Sequence, residues 1–181
     1  LACVEAAYRL PFAEGLKFER ERFDVLVNGV ESKAMRHLFF AERAAAKVDG
    51  VPADTEQRAI EQVAILGAGT MGAGIAMGFA NAGFRVLLLE VKPEALERGL
   101  VNIRKNYAST VSKGKLAQAE ADRRMALIEG TLQYESIAQA DIVIEAVFED
   151  MGVKRDVFEK LDAICKPGAI LATNTSRLNV D

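Results

Sequence analysis

The stretch Gln62-Val63-Ala64-Ile65-Leu66-Gly67-Ala68-Gly69-Thr70-Met71-Gly72-Ala73-Gly74-Ile75-Ala76 decides the fold. An apolar, partly β-branched run leads into glycines at 67, 69 and 72, and small apolar residues follow at helical spacing. That order predicts a buried strand, a tight turn and a helix. The first glycine permits the turn, the second lets a pyrophosphate approach the backbone, and the third lets helix and strand pack closely. The free N–H groups and positive dipole end of the new helix then face an anion.

Glycine-rich turns of this spacing also arise by chance, so the flanking residues matter. Gly83 is placed to end the helix just beyond its cap. Arg85-Val86-Leu87-Leu88-Leu89-Glu90 follows as a second buried strand, with an acid at the distance expected of a ribose-binding carboxylate. Such a carboxylate accepts hydrogen bonds from the adenosine ribose and repels a 2′-phosphate. Arg85 starts the strand and belongs at its far end. The expected cofactor is therefore NAD, not NADP.

The 181 residues suffice for one full domain and part of another. Half of them are hydrophobic, enough for a substantial core. A formal charge of −3 and a pI of about 5.4 give no electrostatic case for a nucleic-acid partner. Cys3 and Cys165 are far apart and unlike in context, so both read as free thiols in a reducing compartment. The expected location is a bacterial-type cytoplasm, with the organellar matrix of a eukaryote as the alternative. No metal site is expected. No apolar run reaches membrane-spanning length, and no basic-then-apolar leader is present. The first residue, Leu1, already lies in a helical pattern, which suggests a piece of something longer.

Before the glycine turn, helices are predicted over residues 1–9, 13–27 and 32–47. The second ends at Asn28-Gly29, and the third carries an apolar stripe of Met35, Leu38, Phe39 and Phe40. That stripe is too apolar to be left in water. It covers either the following domain or one upstream, and left bare it would promote dimerisation. Residues 1–47 thus read as a helical linker, 48–60 as a polar loop, and 61–181 as the nucleotide-binding domain.

After Glu90, Pro93 fits the first turn of a helix. Two long helices over 94–111 and 116–129 make a hairpin inserted before the third strand, either an outer layer or a cover for a ligand. A short strand is predicted over 131–134, a buried parallel strand over 141–147, a helix over 150–165, and a last strand over 169–173. Alternating strands and helices predict an α/β, Rossmann-type, doubly wound parallel sheet. Ligands of such sheets sit outside the carboxyl ends of the strands. Those ends carry the glycine turn, Glu90, residues 145–149 and residues 174–176. Lys154 falls in the first turn of its helix, where the dipole disfavours a cation. It either serves a ligand or pairs with Glu149 or Asp150.

Together, the turn at 67–76, the run Asp141-Ile142-Val143-Ile144-Glu145-Ala146-Val147-Phe148-Glu149 and the end Thr173-Asn174-Thr175-Ser176 resemble the 3-hydroxyacyl-CoA dehydrogenase family. Residues 31–43 resemble the linker of its multifunctional members, which carry an enoyl-CoA hydratase/isomerase domain upstream and a helical domain downstream. The resemblance implies that Gly67, Gly69, Thr70, Met71 and Gly72 hold the NAD pyrophosphate and that Glu90 holds the ribose. The family more often has Asp at that position. Val147, Phe148, Glu149, Lys154 and Asn174 match positions at the NAD site. Ser176 matches a serine that contacts both the nicotinamide side and the substrate 3-hydroxyl, and Lys113 falls near a contact to coenzyme A.

The implied reaction oxidises an L-3-hydroxyacyl-CoA to the 3-ketoacyl-CoA in fatty-acid β-oxidation. The family's general base is a histidine downstream of Asn174-Thr175-Ser176, whereas the lone histidine here, His37, sits on the linker helix. The chain by itself is therefore expected to bind NAD without turnover. Two rival readings are a non-catalytic nucleotide-fold module and a dehydrogenase of the 3-hydroxyisobutyrate or 6-phosphogluconate type.

Overall fold

A computed structural model describes residues 1–45, 47–52 and 54–179. Ala46, Ala53, Val180 and Asp181 lie outside the described residues, so the far ends or interiors of the ranges 32–47, 48–60 and 61–181 do as well. The chain divides into two units, Leu1–Gln57 and Arg58–Asp181.

The first unit holds three helices, α1 (Ala2–Arg9), α2 (Phe12–Asn28) and α3 (Val30–Ala45). Pro11 precedes α2, where a missing N–H costs nothing. Gly29, which ends α2, is extended (φ −65°) and leads straight into α3. Arg36 closes that junction by donating to the Val27 carbonyl at 2.9 Å and to the Ser32 hydroxyl at 2.5 Å. Ala6 is the unit's buried side chain among the described residues. The apolar stripe of α3 stays in solvent, with Met35 at 69% and Phe40 at 63% exposure. Phe39 carries the Arg43 guanidinium 3.4 Å above its ring, a cation–π contact.

The second unit is built on five parallel strands in the order β3-β2-β1-β4-β5. They are β1 (Gln62–Leu66), β2 (Arg85–Leu89), β3 (Ile128–Thr131), β4 (Ile142–Glu145) and β5 (Ile170–Thr173). Strand order reverses at β1, which pairs with β2 on one side and β4 on the other. The doubly wound sheet predicted from sequence is present. Neighbouring residues of a strand face opposite sides, and both sides are covered, which is why β1 and β2 read as unbroken apolar runs.

One side takes Val63, Ile65, Val86 and Leu88 against α4 (Thr70–Asn81), α5 (Pro93–Ser112) and α6 (Gln118–Ala126). The other takes Ala64, Leu66, Leu87 and Leu89 against Ile137 and α7 (Met151–Ile164). Each fully buried Ile or Leu contributes about 1.5–3 kcal/mol to holding these layers. The helical hairpin is an outer layer of the first side. Asn81 ties it to α4 by accepting from the Tyr107 hydroxyl at 3.0 Å and from Arg124 at 2.9 Å.

The third strand corrects the sequence reading. The helix predicted to 129 ends at Ala126, and the strand predicted over 131–134 is Ile128–Thr131, followed by a 3-10 turn, Tyr134–Ile137. Pairing decides the matter, since Ile128 registers with Val86 and is buried there. Gly130 is a strand residue and not a helix stop. A Cβ on it would press the Leu96 and Leu100 methyls at 3.1–3.2 Å, so its bareness lets α5 sit close to the sheet.

Candidate nucleotide site at the strand-order switch

The carboxyl ends of β1 and β4 are neighbours, and the crevice between their connections is where an open α/β sheet takes a ligand. Each motif glycine there has its own steric reason. Gly67 turns the chain at φ +98°, and a Cβ on it would lie 2.6 Å from the Ala146 carbonyl of the neighbouring connection. A Cβ on Gly72 would overlap the Gly67 carbonyl, so that residue lets α4 close on the strand. Gly69 meets nothing within 4 Å. It is the open face of the turn.

Gly69 also caps α4, with no side chain accepting from the first-turn N–H groups. Those donors and the helix dipole point into the open space beside Gly69, an environment made for an anion. The turn therefore fits a pyrophosphate. A cavity of about 570 Å³ opens alongside it, lined by Gly69, Met71, Glu90, Tyr134, Val147 and Phe148 among others.

Glu90 follows β2 and overhangs the turn. One carboxylate oxygen accepts from Ala68 N–H at 3.1 Å and the other from Val91 N–H at 2.8 Å. Its charge is thus held at the mouth of the crevice. Arg85 lies at the opposite edge, paired with Gln62. Burial, and then the Glu90 charge, push the Tyr134 hydroxyl above its ordinary range.

At the ends of β4 and β5 a second cluster is knitted around Lys154. Its ammonium, 3% exposed for the residue, lies 2.9 and 2.8 Å from the two Glu145 oxygens and 3.2 Å from Glu149 Oε2. Glu145, fully buried, also accepts from Val147 N–H at 2.7 Å and the Thr173 hydroxyl at 2.6 Å. Glu149 Oε1 accepts from the Thr175 hydroxyl at 2.5 Å and from Ser176 N–H at 3.2 Å. Burial pulls the Lys154 pKa down, but the bonds to Glu145 and Glu149 outweigh it, and the ammonium ends above its ordinary value. The Thr175 bond, opposed by burial and helped by Lys154 and Ser176 N–H, lowers Glu149 to about 2.

Of the two readings of Lys154, pairing is what the structure contains. Glu149 is a partner, while Asp150 instead caps α7 by accepting from Val153 N–H at 3.0 Å. Sequence reasoning did not find Glu145 as the main partner. The signal was there in an acid ending an otherwise apolar strand, nine residues before a misplaced lysine.

The structure brings Gly67, Gly69, Thr70, Met71, Glu90, Val147 and Phe148 to one cavity. Glu149, Lys154 and Ser176 meet in the adjoining cluster, and Asn174 joins it through its N–H, which donates to the Glu145 carbonyl at 2.8 Å. Lys113 is not among these. It is exposed at the C-terminal cap of α5, a 20-residue helix that begins beside Glu90 and so ends about 30 Å away. His37 is exposed on α3, in the other unit. Among the described residues, no group of three or more His, Cys, Asp or Glu is arranged to hold a metal ion, and no helix is long and apolar enough to cross a membrane.

Comparison with known proteins agrees with this geometry. Residues 62–181 match the model of the 3-hydroxyacyl-CoA dehydrogenase NAD binding domain. A peroxisomal fatty acid beta-oxidation multifunctional protein of Arabidopsis thaliana is 39% identical over 92% of this chain and 23% of its own length. A peroxisomal bifunctional enzyme of Cavia porcellus is 39% identical over 98% of this chain and 25% of its own. The crystal structure of (S)-3-hydroxybutyryl-CoA dehydrogenase from Ralstonia eutropha superposes with a TM-score of 0.66 at 33% identity, covering 67% of this chain and 43% of that one. The chain spans about a quarter of the length of the curated relatives it matches. NAD is the cofactor of the matched domain. On this match, which takes in well over half of its residues, the chain belongs to the 3-hydroxyacyl-CoA dehydrogenase family, by way of that family's NAD-binding domain.

Proposed function

We propose that this chain supplies the cofactor half of an enzyme that oxidises L-3-hydroxyacyl-CoA to 3-ketoacyl-CoA in fatty-acid β-oxidation, within a protein that also hydrates enoyl-CoA. The observation that carries the reading is the open space at Gly69 under the uncapped α4, with the Glu90 carboxylate at its mouth. NAD, when bound, would supply the hydride acceptor for oxidation at C3 of the substrate. The chain's own residues bind and orient. The turn 67–72 donates backbone N–H groups to the pyrophosphate, and Glu90 accepts from the adenosine ribose. Val147, Phe148, Glu149 and Asn174 line the nicotinamide end, with Lys154 behind them. Ser176 offers its hydroxyl to the substrate 3-hydroxyl, and Lys113 reaches coenzyme A.

The hydroxyl proton needs a base of near-neutral pKa. The one histidine among these 181 residues, His37, lies in the other unit, so the chain alone is expected to bind cofactor without turnover. Residues 1–47 are read as a helical linker from an upstream hydratase/isomerase domain, 48–60 as a loop, and 61–181 as the nucleotide domain that meets a downstream helical one. The bare stripe of Met35, Phe39 and Phe40 supports self-association of the isolated chain, which light scattering tests. The names of the eukaryotic relatives favour an organellar matrix, and a bacterial cytoplasm is the second location.

The test is a titration of the chain with NADH followed by nicotinamide fluorescence, which no tryptophan obscures. Saturable binding supports the proposal. No binding would overturn it for this chain.

A further inference from the structure

Gly99 lies outside the glycine motif, in the middle of α5, and is buried. Glycine is the poorest helix residue after proline, so its place there calls for a reason. The reason is the nucleotide turn. A Cβ on Gly99 would lie 2.5 Å from the Ala68 carbonyl oxygen and 2.7 Å from the Ala68 Cβ. Backbone and a methyl cannot swing aside as the end of a long side chain can. Ala68 is 5% exposed, and its N–H is already held by Glu90. Next to it, Gly67 N–H donates to the Leu89 carbonyl at 2.8 Å. The connection from β2 into α5 therefore grips the turn twice: Glu90 takes the Ala68 N–H, and two helical turns later α5 seats on the Ala68 carbonyl and methyl.

We infer that Gly99 is a positioning residue for the cofactor: by letting α5 close on Ala68 it sets the backbone beside the open face at Gly69. The inference rests on the NAD reading above. Gly99 does not line the cavity beside the turn. The helix acts through the turn, and a methyl at 99 displaces Ala68 towards the crevice. By contrast, the α4 residues Gly74 and Gly78 meet nothing within 4 Å and have no such role.

The experiment compares NADH affinity, by fluorescence titration well below the melting temperature, in the wild type, Gly99→Ala, Ala68→Gly and the control Ile103→Val. The control trims a fully buried residue one turn further along the same helix. It is expected to lower the melting temperature and leave NADH affinity within about two-fold of wild type. Gly99→Ala is expected to weaken NADH about tenfold or more with its far-ultraviolet circular dichroism retained. Ala68→Gly adds no bulk, so it keeps the inference testable even if Gly99→Ala does not fold. It removes the methyl on which α5 rests, and about three-fold weaker binding is expected. Wild-type affinity in both variants overturns the inference, as does equal weakening by Ile103→Val. Absence of NADH binding by the wild type itself is a different result, and it overturns the NAD reading instead.

Discussion

Lys154 and Glu145 form a bidentate, buried ion pair, with the ammonium 2.9 and 2.8 Å from the two carboxylate oxygens. An ammonium has three N–H donors, and Glu149 at 3.2 Å takes the third. Lys154 is therefore the hub of a brace between β4, α7 and the Thr175-Ser176 turn. The same pair explains why a cation is tolerated in the first turn of α7, where the dipole opposes it.

Breaking that pair on one side is expected to be costly. Glu145→Ala leaves a buried cation short of its main partner and should cost about 3–5 kcal/mol in urea unfolding. The double variant Glu145→Leu/Lys154→Met removes both charges and should cost far less. Equal losses in the single and double variants would contradict the hub.

Acid should loosen the same region. The Glu149 pKa is lowered from 4.5 to about 2, so its contribution is fully present above 4.5 and is lost as pH falls towards 2. Asp141 is depressed further, by Lys166 first and then by the N–H groups of Gln62 and Glu61, and it adds to the same slope. Stability measured between pH 7 and 2 should be level at first and fall below about 4.5, with a shallower fall in Glu149→Gln. Superimposable profiles would remove Glu149 from the account.

Much of this was legible in the chain, and the parts that were not share a cause. The turn 67–72 and Glu90 are local: a strand, its glycines and an acid at fixed spacing state their own geometry. The apolar runs at 63–66 and 142–144 are equally plain. Gly130 looks like a helix stop in the sequence, which puts the third strand three residues late, and only pairing with β2 reveals it as a strand residue. Glu145 and Gly99 each take their meaning from a partner brought in by tertiary structure, Lys154 across a connection and Ala68 beneath a helix. Lys154 breaks a local rule that points to a nearby acid, and Glu149 is one such partner, but the dipole alone does not single out Glu145.

Cofactor choice should follow Glu90. Glu90→Gln keeps an oxygen for Ala68 N–H and removes the charge that repels a 2′-phosphate. NADH should weaken about tenfold, and the margin over NADPH should narrow. An unchanged preference for NADH would place the discrimination elsewhere.

Two exposed glycines of one helix–strand corner should respond with opposite signs. Gly78 lies inside α4 with open space around it, so Gly78→Ala should stabilise by about 0.5–1 kcal/mol. Gly83 sits at φ +93° beyond the end of α4, so Gly83→Ala should cost about 1–2 kcal/mol although nothing obstructs its Cβ. Thermal melts of the two variants check both.

The most direct test of the cofactor site is the map of backbone amide shifts when NADH is added to the isotopically labelled chain. The largest changes are predicted at residues 67–72, at Glu90 and Val91, and at 147–149, with a second group at Thr175 and Ser176. Changes concentrated instead around Arg155 and Phe158, where a separate cavity lies between α7 and β5, would contradict the site assigned to the strand-order switch.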